Sequence, residues 1–199
     1  MLTFTEAARE KIVEILKAKG QDGYAVRLRI VGRDTDSFIY EFRSVEAATR
    51  RDDDLIIDAG DFQVLIDPAS APHLQGAVID FSGLEQGSFK IDNPNPVWTD
   101  DKSRRVAEVI AQRINPGVAA HSGSITLVDV KDNRVYIRMQ GGCQGCGLAG
   151  VTLRLGIEKA IREAVPEIEG VVDVTEHEKG RSPYYAPGEA GESPVAQHG

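Results

Sequence analysis

The sequence predicts an α+β fold in two domains. Alternating apolar and polar residues dominate the first half of the chain, as in half-buried strands. A proline-rich break, Asp92-Asn93-Pro94-Asn95-Pro96, follows. Beyond it, helical and alternating periods succeed one another in a shorter second set.

The first domain is expected over residues 1–95. Thr3-Phe4-Thr5-Glu6 fits a capping box, with Thr5 as an alternative N-cap. Ala8, Ile12, Ile15 and Leu16 recur at helical spacing, and Gly20 follows as a stop. Val26, Leu28 and Ile30 alternate with Arg27 and Arg29, which predicts a strand with one apolar and one polar face. Strand-like runs recur at residues 38–42, 55–57, 62–66, 78–81 and 88–91, separated by loops rich in Asp and Gly. A short second helix is expected near residues 69–74. At residues 92–96 the two prolines favour extended backbone and remove two N–H donors, so the domain boundary is placed there.

The second domain is expected over residues 100–178, with two helices and a three-stranded sheet. Asp100 or Ser103 caps a helix whose stripe is Val106, Val109, Ile110 and Ile114, ending at Pro116-Gly117. Residues 124–132 and 134–140 form two strands joined by a turn at residues 131–134. Their inward side chains are Ile125, Leu127, Val135, Ile137 and Met139. Leu153, Ile157, Ile161 and Val165, four residues apart, mark the next helix, which Pro166 weakens. Residues 171–176 read as a last strand. Residues 179–199, rich in Gly, Pro, Ser and Glu, are expected to form a flexible tail.

With 41% apolar residues the chain can bury a core. Its net charge of −8 repels phosphate backbones, so nucleic acid is not an expected partner. No segment approaches the run of about 18 apolar residues that spans a bilayer, and no secretory signal opens the sequence. The expected setting is cytoplasmic, away from membranes. Arg51-Asp52-Asp53-Asp54 and Asp34-Thr35-Asp36 lack the ligand spacing of a calcium loop and read as solvated charges. No nucleophile–base or paired-carboxylate arrangement stands out, so no catalytic residues and no enzymatic turnover are expected.

The two cysteines of the chain lie in Gly141-Gly142-Cys143-Gln144-Gly145-Cys146-Gly147, between a strand and a helix. Helix N-termini favour anions, and the metal-binding form of cysteine is the thiolate. Gly141, Gly142, Gly145 and Gly147 allow left-handed backbone and close approach of N–H groups to bound sulfur. Four readings share a C-x-x-C pair. Incidental thiols leave the flanking glycines unexplained. A thioredoxin-like redox pair wants a βαβ unit, whereas the preceding strand has a hairpin partner. Structural zinc needs four ligands, and only His121 and His177 are near in sequence. In the fourth, two chains related by a two-fold axis supply four thiolates to one iron–sulfur cluster. A cluster held so, with few ligands per chain, suits a carrier.

Ile114-Asn115-Pro116, His121-Ser122-Gly123, the Cys143–Cys146 segment, Val151-Thr152-Leu153 and Gly156-Ile157-Glu158 resemble the Nfu domain of iron–sulfur scaffolds and carriers. The resemblance covers roughly residues 103–178. It implies a [4Fe–4S] cluster, one per homodimer, ligated by Cys143 and Cys146 of each chain. It also implies upstream cluster scaffolds and apo iron–sulfur clients as partners. Val26-Arg27-Leu28-Arg29, Tyr40-Glu41-Phe42 and Phe89-Lys90-Ile91-Asp92-Asn93-Pro94-Asn95 are similar to A-type carriers of the HesB/IscA group. That group uses three cysteines; Arg33, Asp100 and Lys102 stand near those positions here. The resemblance therefore implies a degenerate A-type domain that recognises clients rather than holding a cluster.

Overall fold

A computed structural model describes residues 2–82, 87–120, 122–141 and 147–175. The chain forms two compact units. One holds Met1–Val31 and Phe38–Val97; the other holds Gly32–Ser37 and the chain from Trp98 onward.

The first unit is rich in strands. Its elements are β1 (Thr3–Phe4), α1 (Glu6–Ala18), β2 (Ala25–Arg33), β3 (Phe38–Val45), β4 (Leu55–Asp58), β5 (Gln63–Ile66), β6 (Val78–Ser82) and β7 (Ser88–Asp92). Single 3-10 turns lie at Ala47–Thr49 and Ala71–Leu74, the second within the stretch expected to be helical. One sheet runs β1-β6-β7; in the other, β2 lies between β3 and β5, and β4 pairs with β5. The apolar face of α1 packs into a core with Phe4, Leu28, Val64, Ile66 and Ile79. Each such side chain contributes about 1.5–3 kcal/mol by leaving water.

Two expectations are corrected in this unit. Thr3 is not the helix cap, because it pairs with Val78 in the parallel β1–β6 ladder. Thr5 is the cap: its hydroxyl oxygen accepts from the Ala8 N–H at 3.2 Å, and its O–H donates to Asp80 at 2.6 Å. Asp54 is not a solvated loop charge, because it meets Arg27 of the polar face of β2. Arg27 and Asp54 are buried together, with Nη1–Oδ1 at 3.0 Å and Nη2–Oδ2 at 2.7 Å. Arg27 Nη2 also donates to the Thr49 carbonyl at 3.1 Å, so the segment after β3 closes over that face of the strand.

The second unit contains α2 (Asp101–Val109), a π-helical turn (Ile110–Ile114), α3 (Asn115–Ala119), β8 (Gly123–Lys131), β9 (Arg134–Gly141), α4 (Gly147–Ala164) and β10 (Gly170–Asp173). Asp100, not Ser103, caps α2; it accepts from the Ser103 N–H at 2.8 Å and the Ser103 hydroxyl at 2.7 Å. Helical backbone does not stop at Pro116-Gly117 as expected but runs on to Ala119. The widened π turn restarts the helix, and Pro116 falls in the first turn of α3, where its missing N–H has no partner to lose.

The three strands run in the order β10-β9-β8. At the β8–β9 turn Asp132 and Asn133 take φ of 50° and 56°, the signs that a two-residue hairpin turn requires. Ile125, Leu127, Val135, Ile137 and Met139 are all buried against Val106, Ile110, Ile161 and Val165, the face expected from their alternation. β10 is shorter than expected. Beyond it Val174 N–H still donates to the Ile137 carbonyl at 2.8 Å, but Met139 N–H turns to the Thr175 hydroxyl at 2.7 Å. β10 also lies parallel to β9. β9, α4 and β10 therefore make a βαβ unit, and the hairpin partner β8 does not exclude that arrangement. No helix among the described residues is long and apolar enough to cross a membrane.

Candidate functional site

Cys143 and Cys146 lie in residues 142–146, outside the described residues, as do His121, His177 and residues 179–199. The structure fixes the two ends of the cysteine segment. One is Gly141, the last residue of β9, paired with Gly123 of β8. The other is Gly147, the first residue of the 18-residue helix α4. The unsatisfied N–H groups at such a helix start carry roughly half a positive charge, which favours thiolate over thiol nearby.

Gly141 has φ +66°, and a Cβ on it would collide with the Ser122 carbonyl oxygen. Ser122 N–H donates to the Ala119 carbonyl at 2.9 Å. Asn115 ties the end of the helical run to β8: its Nδ2 donates to the Ile125 carbonyl at 3.0 Å, and its Oδ1 accepts from Ile125 N–H at 2.8 Å. On the other side of β9, the Thr175 hydroxyl holds Met139 and is itself bonded to the Asp173 carboxylate. Asn115 and Ser122 carried the Nfu resemblance in sequence without a stated role. Thr175 gave no sequence signal, because one threonine after a strand is ordinary.

Arg33, Asp100 and Lys102, where the resemblance to A-type carriers expects cysteines, are engaged otherwise. Arg33 lies over the Trp98 ring, 5.2 Å from its centroid. Asp100 caps α2, and Lys102 Nζ donates to Asn133 Oδ1 at 2.8 Å. Burial alone would raise the Asp100 pKa, but the hydrogen bonds from the Ser103 hydroxyl and N–H outweigh it, and the carboxyl is held below its usual range. No group of three or more His, Cys, Asp or Glu placed to hold a metal occurs among the described residues.

A NifU-like domain model matches residues 106–172, and an iron-sulphur cluster biosynthesis domain model matches residues 1–100. A Pseudomonas aeruginosa protein named Fe/S biogenesis protein NfuA is 35% identical over 191 residues, covering 92% of this chain and 98% of that protein. This chain belongs to the NfuA family. The NfuA of Hamiltonella defensa is 34% identical over 194 residues, with 93% of this chain and 100% of that protein covered. Both NfuA proteins are matched over nearly their whole length, and both are named as Fe/S biogenesis proteins. A solved structure of IscA with a [2Fe-2S] cluster is 24% identical, covering 51% of this chain and 92% of that one at a TM-score of 0.41.

Proposed function

We propose that this chain carries a [4Fe–4S] cluster as cargo, held between two copies by Cys143 and Cys146 of each, and passes it to apo iron–sulfur proteins. One observation carries the reading: both cysteines of the chain fall in the short segment between the end of β9 and the start of α4. One chain offers two thiolates where a cluster takes four, and an isologous pair completes the set. Membership in a family of Fe/S biogenesis proteins supports the cargo.

Transfer proceeds by ligand exchange. A client thiol gives up its proton and its thiolate bonds one iron; the displaced carrier thiolate leaves and takes a proton. Repeating this at each carrier cysteine moves the cluster intact, with no net electron change. Residues 1–95 act as the degenerate A-type domain that recognises clients, and residues 100–178 hold the cargo. Upstream scaffolds supply the cluster, the setting is cytoplasmic, and no substrate is turned over.

A thiol–disulfide exchange reading of the same pair is favoured by the parallel β9–α4–β10 arrangement. The two readings separate on purification without oxygen. A carrier is brown, contains iron and acid-labile sulfide in equal amounts, and loses both on Cys143→Ser. A colourless protein that reduces an insulin-type disulfide at catalytic rates refutes the carrier reading.

A further inference from the structure

Gly141 is constrained twice over. Its φ of +66° lies in the left-handed region that L side chains rarely adopt. Independently, a Cβ there would strike the Ser122 carbonyl oxygen and crowd the Gly123 Cα at 3.3 Å. Gly20, Gly23 and Gly60 also have positive φ, yet open space lies where their Cβ would be. Gly76, with φ +73°, would meet Pro94 Cγ at 3.4 Å, an ordinary contact, whereas at Gly141 both constraints act.

The group it meets is itself held. Ser122 is anchored to Ala119, and the strand it leads into is gripped by both amide atoms of Asn115 at Ile125. Across β9, Thr175 takes the Met139 N–H. The end of β9 is thus clamped from both sides by segments distant in sequence, two residues before Cys143.

We propose that Gly141 is a positioning residue for the sulfur ligands. Its bare Cα lets the Ser122 carbonyl press against the end of β9, which sets where the chain leaves the sheet for the cysteine segment. Asn115 is the remote anchor of that contact. This rests on the reading of Cys143 and Cys146 as cluster ligands, and extends it to residues that touch no iron. Ligands placed in advance lose less freedom on binding, so a displaced exit from β9 weakens cluster binding while the fold persists.

The test uses the full chain, reconstituted without oxygen with ferrous iron and sulfide. Iron per chain and visible cluster absorption are read beside far-UV circular dichroism and melting of the apo-protein. Gly141→Ala and Gly141→Asn are both expected to hold at least about tenfold less cluster, the loss typical of removing support behind metal ligands. Asn tolerates positive φ, so its failure to rescue identifies the collision at Cβ as the cause. Ile161→Val, which loosens the core away from the loop, is expected to load as wild type. Asn115→Asp keeps the acceptor for Ile125 N–H and loses the donor; it is expected to load less than wild type, and it decides the matter if the Gly141 variants do not fold.

Wild-type loading of Gly141→Ala overturns the proposal, as does a loss no larger than that of Ile161→Val. Should the Gly141 variants fail to fold, full loading of Asn115→Asp overturns it. A Cys143→Ser control that also loads fully sinks the ligand reading instead, so the two failures are distinct.

Discussion

The guanidinium of Arg27 and the carboxylate of Asp54 are 7% and 0% exposed, and each relies on the other. Removing one leaves the other charge buried and unpaired, which typically costs about 3–5 kcal/mol. Asp54→Ala is expected to lower unfolding free energy by about that amount in urea titration. The hydrogen bond from Arg27 holds the Asp54 carboxyl below its usual range, against burial, which raises it. A depressed folded-state pKa contributes stability that is complete above the unfolded value of about 3.9 and lost as pH falls through the folded one. The stability gap between wild type and Asp54→Asn should therefore be constant near neutrality and narrow below about pH 4. At Asp100 the carboxylate satisfies a helix N–H and the Ser103 hydroxyl. Asp100→Ala is expected to cost about 1 kcal/mol by the same titration.

Most elements could be read from periodicity, and the exceptions have physical reasons. Alternation in β8 and β9 names the five inward residues because one face of that sheet packs on the core with helix residues such as Val106, Ile110 and Ile161. In β2 the same alternation puts Arg27 on the polar face but does not show its burial with Asp54, because alternation separates two faces without revealing what covers each. β1, two residues long, is too short to show a period. Pro116 reads as a stop in sequence although proline suits a first helical turn, and the π turn before it has no sequence mark. For the candidate site, the cysteines and glycines were legible as chemistry. Asn115, Ser122 and Thr175 were not, because their contacts form only once the helix end, β8, β9 and the stretch after β10 come together. At this scale the Thr175 hydroxyl stands in for a strand carbonyl at the end of β9. Thr175→Val, which strands the Met139 N–H, is expected to cost about 1–3 kcal/mol, and Thr175→Ser to restore most of it, in urea unfolding of the apo-protein.

For the whole molecule the argument turns on ligand number. Two cysteines in 199 residues cannot complete a four-thiolate shell. Arg33, Asp100 and Lys102 offer no thiolate, and their side chains are engaged in other contacts. On the proposed reading the second set of thiolates comes from another copy. Loading and association are then one equilibrium, because a ligand that bridges two chains stabilises the dimer by mass action. Native mass spectrometry of the anaerobically loaded protein tests this most directly. The account predicts two chains with a single [4Fe–4S] cluster, separating into monomers when the cluster is chelated away. A loaded species with the mass of one chain and its cluster, with no external thiol, would contradict it.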